Sequence, residues 1–364
     1  MPDIVQKFHL SPFFLAHLTS AVQFGFITGT LLFAILTIAD RFSPSLVFCT
    51  AAIAAAVCNL GISMEGIDSA TLLLFRFLTG FFLAGIYPVG MKIASDYYQK
   101  GLGKSLGFLV GALVLGTAFP HLLKSLTLNL PWKYVVFATS ALCVLGGLII
   151  GLLLPDGPYR KPAQKIRLAA FLSGFANKPF RAAAFGYFGH MWELYAFWAF
   201  VPVMLANWQK HNASLTLNTP FLSFLIIGSG SIACIVSGSI SQFFGTKKVA
   251  AISLFLSGCC CILSPFFLLN SSPFAMVAFL FFWGLVVIAD SPLFSTLVAQ
   301  NAPEESRGAS LTIVNCIGFS ITIISIQLIN GFVNDGDARF IYTLLAIGPV
   351  IGLMALLGNR KTES

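Results

Sequence analysis

Residues 133–154 read KYVVFATSALCVLGGLIIGLLL, a run in which Lys133 is the only charged side chain. About 20 apolar residues of helix cross the roughly 30 Å hydrocarbon core of a bilayer, so this stretch predicts a membrane-spanning helix. Similar runs recur from Phe13 almost to the C-terminus. The sequence therefore predicts an all-α, polytopic membrane protein.

The composition agrees with a chain that lies mostly in lipid. Of the 364 residues, 57% are hydrophobic and 9% are charged, and the mean hydropathy is +0.88. A soluble globular protein has about a quarter of its residues charged, so these proportions exclude one. The formal net charge is +8, but the basic residues lie in short loops and form no stripe, so we expect no nucleic-acid partner.

Cutting the chain at its polar and Pro/Gly interruptions predicts eleven membrane spans. They lie near 13–39, 45–64, 69–95, 104–128, 133–154, 180–208, 219–244, 248–269, 273–298, 308–332 and 339–358. When the connections are assigned alternately to the two sides, about two thirds of the 21 Lys and Arg residues lie on one side. Positive loops stay in the cytoplasm, so we expect a cytoplasmic C-terminus, an N-terminus outside and insertion in the cell inner membrane.

The longest polar connection, 155–179, predicts the boundary between two helical bundles. The N-terminal bundle would be 1–154 with five spans, the connection a cytoplasmic linker, and the C-terminal bundle 180–364 with six spans. The spacing of Gly80 and Pro88 recurs between Gly284 and Pro292. This recurrence indicates an internal repeat, and hence bundles related by pseudo-two-fold symmetry.

Glu193 and His190 form the strongest candidate site. Glu193 lies near the middle of its span, and His190 is one turn earlier on the same helical face. Ionisable groups at that depth are costly and mark functional sites, and a carboxyl beside an imidazole can exchange a proton. We expect a role in proton coupling; the alternative is a neutral glutamic acid that is hydrogen-bonded inside the bundle. Three aromatic residues on the same span could line a cavity or merely pack: Trp192, Tyr195 and Trp198.

Asp290 and Arg76 are further candidates for the binding of solute. Asp290 precedes Ser291-Pro292, where the proline removes a backbone donor and loosens the helix; the alternative is a structural acid. Arg76 keeps its charge at any relevant pH and therefore needs an anion. That anion could be Glu193, Asp290 or a solute oxyanion, and a fixed structural pair is the alternative.

The chain shows no pattern for a metal, a cofactor or catalysis. All eight cysteines lie in apolar runs without paired CxxC spacing, so we interpret them as reduced packing residues. HExxH, GxSxG and a glycine-rich phosphate loop are absent from the sequence. We therefore expect no enzyme activity, no cofactor and no metal ion.

Two loops carry complementary parts of the pattern G-x-x-x-D-R-x-G-R-R/K. Residues 36–45 retain the acidic and basic pair Asp40-Arg41, and residues 238–248 retain both glycines and the basic pair Lys247-Lys248. In addition, Arg76-x-x-x-Gly80 matches an R-x-x-x-G feature. In these motifs the chain resembles the major facilitator superfamily of secondary transporters.

The resemblance implies two helical halves around a central cavity, with the two loops acting as a conformational latch between the halves. The four latch residues would be Asp40, Arg41, Lys247 and Lys248. The glycine-rich fifth-helix motif of antiporters is absent, which favours symport over exchange. The span near Phe13 aligns with the second helix of the family, so the first helix is expected to be missing, through a late start assignment or a truncation.

The resulting hypothesis is a monomeric secondary active transporter of a small polar solute that works by alternating access and is coupled to protons. The alternative is a truncated, non-transporting membrane protein or a solute sensor of the same fold. Besides the solute and protons, the lipid bilayer is the expected partner.

Overall fold

The computed structural model describes residues 8, 10, 14–98, 102–126, 131–160, 174–212, 217–302, 307–333 and 340–358. In these ranges every regular element is a helix. The first seven helices are α1 (Phe14–Ile35), α2 (Ile38–Arg41), α3 (Pro44–Gly61), α4 (Ser69–Leu83), α5 (Tyr87–Tyr97), α6 (Leu102–Leu126) and α7 (Lys133–Leu153). The later helices are α8 (Lys178–His211), α9 (Thr219–Phe244), α10 (Thr246–Asn270), α11 (Pro273–Ala289), α12 (Ser291–Asn301), α13 (Arg307–Val333), a 3₁₀ helix (Ile341–Ala346) and α14 (Ile347–Leu357).

Each of the eleven predicted spans falls on one helix or on two consecutive ones. Nine helical segments in the described ranges are long and apolar enough to cross a membrane. The remaining two predicted spans are α8, which has 34 residues, and the shorter apolar segment Ile341–Leu357. The prediction of an all-α polytopic fold is confirmed.

The outward surface of the helices is strongly apolar. Side chains that are more than 70% exposed include Leu152, Phe243, Phe266 and Phe274. A water-soluble protein would not present so many large apolar side chains, whereas acyl chains solvate them readily. The described helices therefore have the surface of an integral membrane protein.

The chain divides into two compact units. The first contains Met1–Leu102 and Thr127–Arg167, and the second contains Gly103–Leu126 and Leu168–Ser364. Nearly all of α6 thus packs with the C-terminal helices, whereas our predicted boundary had placed it with the N-terminal ones; the predicted bundles 1–154 and 180–364 stay a prediction. The proximity of α6 and α9 has a local cause, since a Cβ at Gly107 would lie 3.1 Å from the carbonyl oxygen of Cys234. Much of the predicted linker 155–179, namely 161–173, lies outside the described residues.

The internal repeat is visible as a pair of glycine crossings. In the first unit, a Cβ at Gly80 on α4 would lie 1.9 Å from the carbonyl oxygen of Val22 on α1. In the second unit, a Cβ at Gly284 on α11 would lie 2.3 Å from the carbonyl oxygen of Ile226 on α9. Only glycine allows two backbones to approach this closely.

The same two spans are also broken at equivalent places. The first is interrupted between α4 and α5, and Pro88 is the second residue of α5. The second is interrupted at Asp290, and Pro292 is the second residue of α12. Proline fits the first turn of a helix because the N–H it lacks would have no intrahelical partner there. The break predicted at Asp290 is therefore present.

Candidate functional site

Helix α8 positions the two candidate residues of the second unit. At 1.5 Å per residue its 34 residues extend about 51 Å, and Glu193 lies close to the middle. His190 and Glu193 share a face with Gly186 and Phe197. A Cβ at Gly186 would lie 2.3 Å from Cε1 of Phe294, so the glycine lets the Phe294 ring of α12 lie against α8. The face with His190 and Glu193 is therefore the one that α11 and α12 cover.

Glu193 is 1% exposed, and its carboxyl lies within hydrogen-bonding distance of side chains on two other helices. The indole Nε1 of Trp283 on α11 lies 2.6 Å from Oε1, and Oγ of Ser257 on α10 lies 2.9 Å from Oε2. The Trp283 ring in turn packs on Phe197, with ring centroids 4.7 Å apart. Both carboxyl oxygens are thus held in a fixed direction away from lipid.

His190 contacts Asp290 rather than Glu193. Its Nδ1 lies 2.8 Å from Oδ1 of Asp290, and both side chains are fully buried. Apart from this contact, neither ring nitrogen nor either carboxylate oxygen has a side-chain partner among the described residues. The rings of Tyr187 and Phe294 lie 6.1 Å from the imidazole, centroid to centroid. The two residues therefore form a buried imidazole–carboxyl pair in an apolar, aromatic setting.

The backbone beside Asp290 shows how the helix break is stabilised. In a regular helix the N–H of residue 292 would donate to the carbonyl of Ile288, but Pro292 has no N–H. Sγ of Cys234 on α9 lies 3.5 Å from that carbonyl oxygen and donates to it instead. Cys234 is thus more than a packing residue, although all eight cysteines are free thiols as expected.

The three aromatic candidates lie on another side of α8. Nε1 of Trp192 donates to the carbonyl oxygen of Leu344 at 3.1 Å. The ring of Tyr195 packs on Phe319 and on Trp198, with centroids 5.2 Å apart in both pairs. Trp192 and Tyr195 thus pack against the 3₁₀ helix and α13, away from the carboxyl of Glu193, and a cavity-lining role stays a prediction.

Arg76 belongs to the first unit, on α4. It is the eighth residue of that helix and lies on the same face as the buried residues Leu72, Thr79 and Gly80. Its Nε is buried without a hydrogen-bond partner, and no carboxylate among the described residues of the first unit lies within 4.0 Å of its guanidinium.

Asp68 caps the N-terminus of α4, the helix that carries Arg76. Its side chain accepts a hydrogen bond from the backbone N–H of Thr71 at 2.9 Å. Hydrogen bonding with Thr71 favours the ionised form and holds the pKa of Asp68 below its ordinary value of 3.8. The cap is therefore intact at neutral pH and weakens only as the pH falls through that lowered pKa.

The predicted latch residues Asp40 and Arg41 have partners inside the first unit. Nζ of Lys92 lies 2.9 Å from Oδ1 of Asp40 and 3.5 Å from Oδ2 of Asp96. Nε of Arg41 donates to Oγ1 of Thr37 at 3.1 Å. The sequence could have indicated this cluster, because Lys92 and Asp96 have opposite charges and lie one helical turn apart on α5.

The other two latch residues, Lys247 and Lys248, are exposed at the start of α10. They follow Gly245, whose φ of +87° favours glycine and explains why this loop glycine is retained. A latch function of the four residues stays a prediction. Among the described residues, no three His, Cys, Asp or Glu side chains are grouped so that they could hold a metal ion.

The fold and the buried polar groups define a polytopic helical membrane protein with an internal repeat and ionisable groups inside its spans. The sequence matches the Major Facilitator Superfamily over residues 1–358, and the chain belongs to that family. Members of this family are generally transporters rather than enzymes. No curated protein matches the sequence.

Proposed function

We propose that the protein is a secondary active transporter that moves a small polar solute by alternating access and couples this movement to protons. We place it in the cell inner membrane with a cytoplasmic C-terminus, since most of the basic residues lie in the loops assigned to that side. The observation that carries the coupling is the buried carboxyl of Glu193, which two neutral hydrogen-bonding side chains, Trp283 and Ser257, hold in the middle of α8.

The hydrogen bonds available to Ser257 favour a protonated Glu193. Oγ of Ser257 lies 2.9 Å from Oε2 of Glu193 and 3.1 Å from the carbonyl oxygen of Leu254. A hydroxyl has one hydrogen, and the carbonyl can only accept. Both contacts are satisfied when Ser257 donates to Leu254 and Glu193 donates its own proton to Ser257. A neutral carboxyl also avoids the cost of an unpaired charge inside the bundle.

The buried pair of His190 and Asp290 lies one helical turn from the coupling group, Glu193. His190 and Glu193 are one turn apart on α8, and the partners Asp290 and Trp283 both come from the span that is broken at Asp290. Movement of α12 relative to α11 would disturb this pair and open a path for water to Glu193. In such a cycle Glu193 releases its proton when wet and takes it up again before it is buried.

The test is solute accumulation driven by a pH gradient. Solutes that stabilise the purified chain in a thermal-shift screen would be offered to liposomes that contain it, with a pH-sensitive dye inside. One coupled proton supports about tenfold accumulation per pH unit. We expect Glu193→Gln to lose this accumulation and the solute-driven entry of protons, while exchange of solute without a gradient continues.

The matched control is Glu65→Gln, the same change at a surface glutamate whose side chain is 93% exposed. It should transport like the unaltered protein. Coupled accumulation by Glu193→Gln would refute the role of Glu193, and binding of solute without any uptake would favour the solute sensor.

A further inference from the structure

Arg76 differs from the other charged residues inside the described spans. Lys92 lies beside Asp40 and Asp96, His190 lies beside Asp290, and the carboxyl of Glu193 has two neutral hydrogen-bonding partners. The guanidinium of Arg76, by contrast, has no anion within 4.0 Å among the described residues of the first unit, and its Nε has no hydrogen-bond acceptor there. The part of the first unit that the structure describes therefore supplies no counter-charge to this permanent positive charge.

An unpaired guanidinium in a membrane span is unfavourable, and it cannot be relieved by loss of a proton. Arg76 is nevertheless retained on the inward face of α4, beside Leu72 and Thr79, where it cannot reach lipid headgroups as freely as an outward-facing residue would. Part of the side chain remains accessible, so a small ligand could reach it. The missing counter-charge is thus one that a ligand can supply.

We propose that Arg76 binds the carboxylate of a singly charged organic acid, which is the solute of the transporter. The two Nη groups at the end of a guanidinium form two parallel N–H donors that match the two oxygens of a carboxylate. A single positive charge balances one carboxylate but leaves half of a doubly charged phosphate uncompensated, so the geometry and the charge favour a monocarboxylate. This inference rests on the proposed function and adds the class of solute to it.

The charges of the solute and of the coupling proton then cancel. Arg76 holds one negative charge in the first unit, and Glu193 takes up one proton in the second. Uptake of one monocarboxylate with one proton moves no net charge across the membrane. Transport should accordingly respond to the pH gradient and not to the membrane potential.

Binding is tested with the purified full chain in a non-ionic detergent at constant ionic strength. The probes are acetate, propionate, lactate and benzoate, each compared with its uncharged amide, and inorganic phosphate and phosphatidylglycerol are separate arms. We expect at least one carboxylate to raise the unfolding temperature in a saturable manner, and its amide and phosphate to have no such effect. Arg76→Gln should abolish the shift, and Arg76→Lys, which lacks the planar fork, should weaken the apparent affinity about tenfold.

The control variant is Lys133→Gln, which removes a positive charge that is paired with Glu65 at the surface. It should bind the same carboxylate as the unaltered chain does. Two results would overturn the inference. One is that phosphate or phosphatidylglycerol stabilises the chain at least as much as every carboxylate does. The other is that the carboxylate still raises the unfolding temperature of Arg76→Gln.

The ligand-free proteins give a second readout that needs no known solute. If Arg76 lacks a structural counter-charge, Arg76→Gln unfolds at the same or a higher temperature than the unaltered chain. A clear decrease would mean that Arg76 is held by a structural anion, and would refute the inference. Two outcomes distinguish this inference from the proposed function. If Arg76→Gln still takes up an uncharged solute together with protons, only the inference about Arg76 is refuted. If Arg76 binds a carboxylate but Glu193 plays no part in coupling, only the proposed coupling is refuted.

Discussion

His190→Leu is expected to lower the free energy of unfolding by about 3–5 kcal/mol, because it leaves the carboxylate of Asp290 buried without its partner. Nδ1 of His190 is the one basic group within 4.0 Å of Asp290 among the described residues, and neither side chain is exposed. The measurement is unfolding in mixed detergent micelles, followed by the fluorescence of the buried tryptophans.

The double variant His190→Leu, Asp290→Asn tests whether the lost stability comes from the broken pair or from packing. It removes both ionisable groups and keeps approximate shapes, so its loss of unfolding free energy should be well below the sum of the losses in the two single variants. Additive costs, or a cost below about 1 kcal/mol for His190→Leu, would mean that the two residues do not act as a pair.

Alanine at Gly80 or Gly284 is expected to cost about 1–3 kcal/mol or more each, because a methyl group would be forced against a backbone carbonyl. The carbonyl oxygens of Val22 and Ile226 cannot rotate away as a side chain could, so the crossing helices must separate. The measurement is again unfolding in mixed micelles, together with the yield of monodisperse protein.

Gly116 and Gly146 are the matched controls, since a Cβ at either would meet nothing within 4 Å. Alanine there should be neutral or stabilise the helix by up to about 1 kcal/mol. If all four substitutions behave alike, the glycine crossings do not determine how these helices pack.

The helices were predictable from local pattern, whereas the contacts of the site were not. Apolar runs located the helices of all eleven predicted spans, nine of which are long and apolar enough in the described residues to cross a membrane, and Ser291-Pro292 located the break, because helix length and proline act along the chain. Helical spacing also placed His190 and Glu193 on one face. It could not show that His190 reaches Asp290 while Glu193 reaches Trp283, since these partners are about 90–100 residues away and depend on how the helices pack.

The first unit shows the same limit. The resemblance of 36–45 to a family loop indicates a role for Asp40, but it does not indicate the partner Lys92, which lies about 50 residues further along the chain. The grouping of α6 with the C-terminal helices was likewise hidden, because the polar connection 155–179 marks a boundary in the sequence and carries no information on packing. A small residue such as Gly107 permits the close approach of another helix, but the sequence does not indicate that this helix is α9.

The thiol of Cys234 has a practical consequence for labelling studies, which commonly begin with a cysteine-free variant. Serine is the safer replacement there, since its hydroxyl can still donate to the carbonyl oxygen of Ile288, which receives no N–H from Pro292. Alanine would remove this side-chain donor, so a label on an alanine variant would report on a helix that is already perturbed at its break.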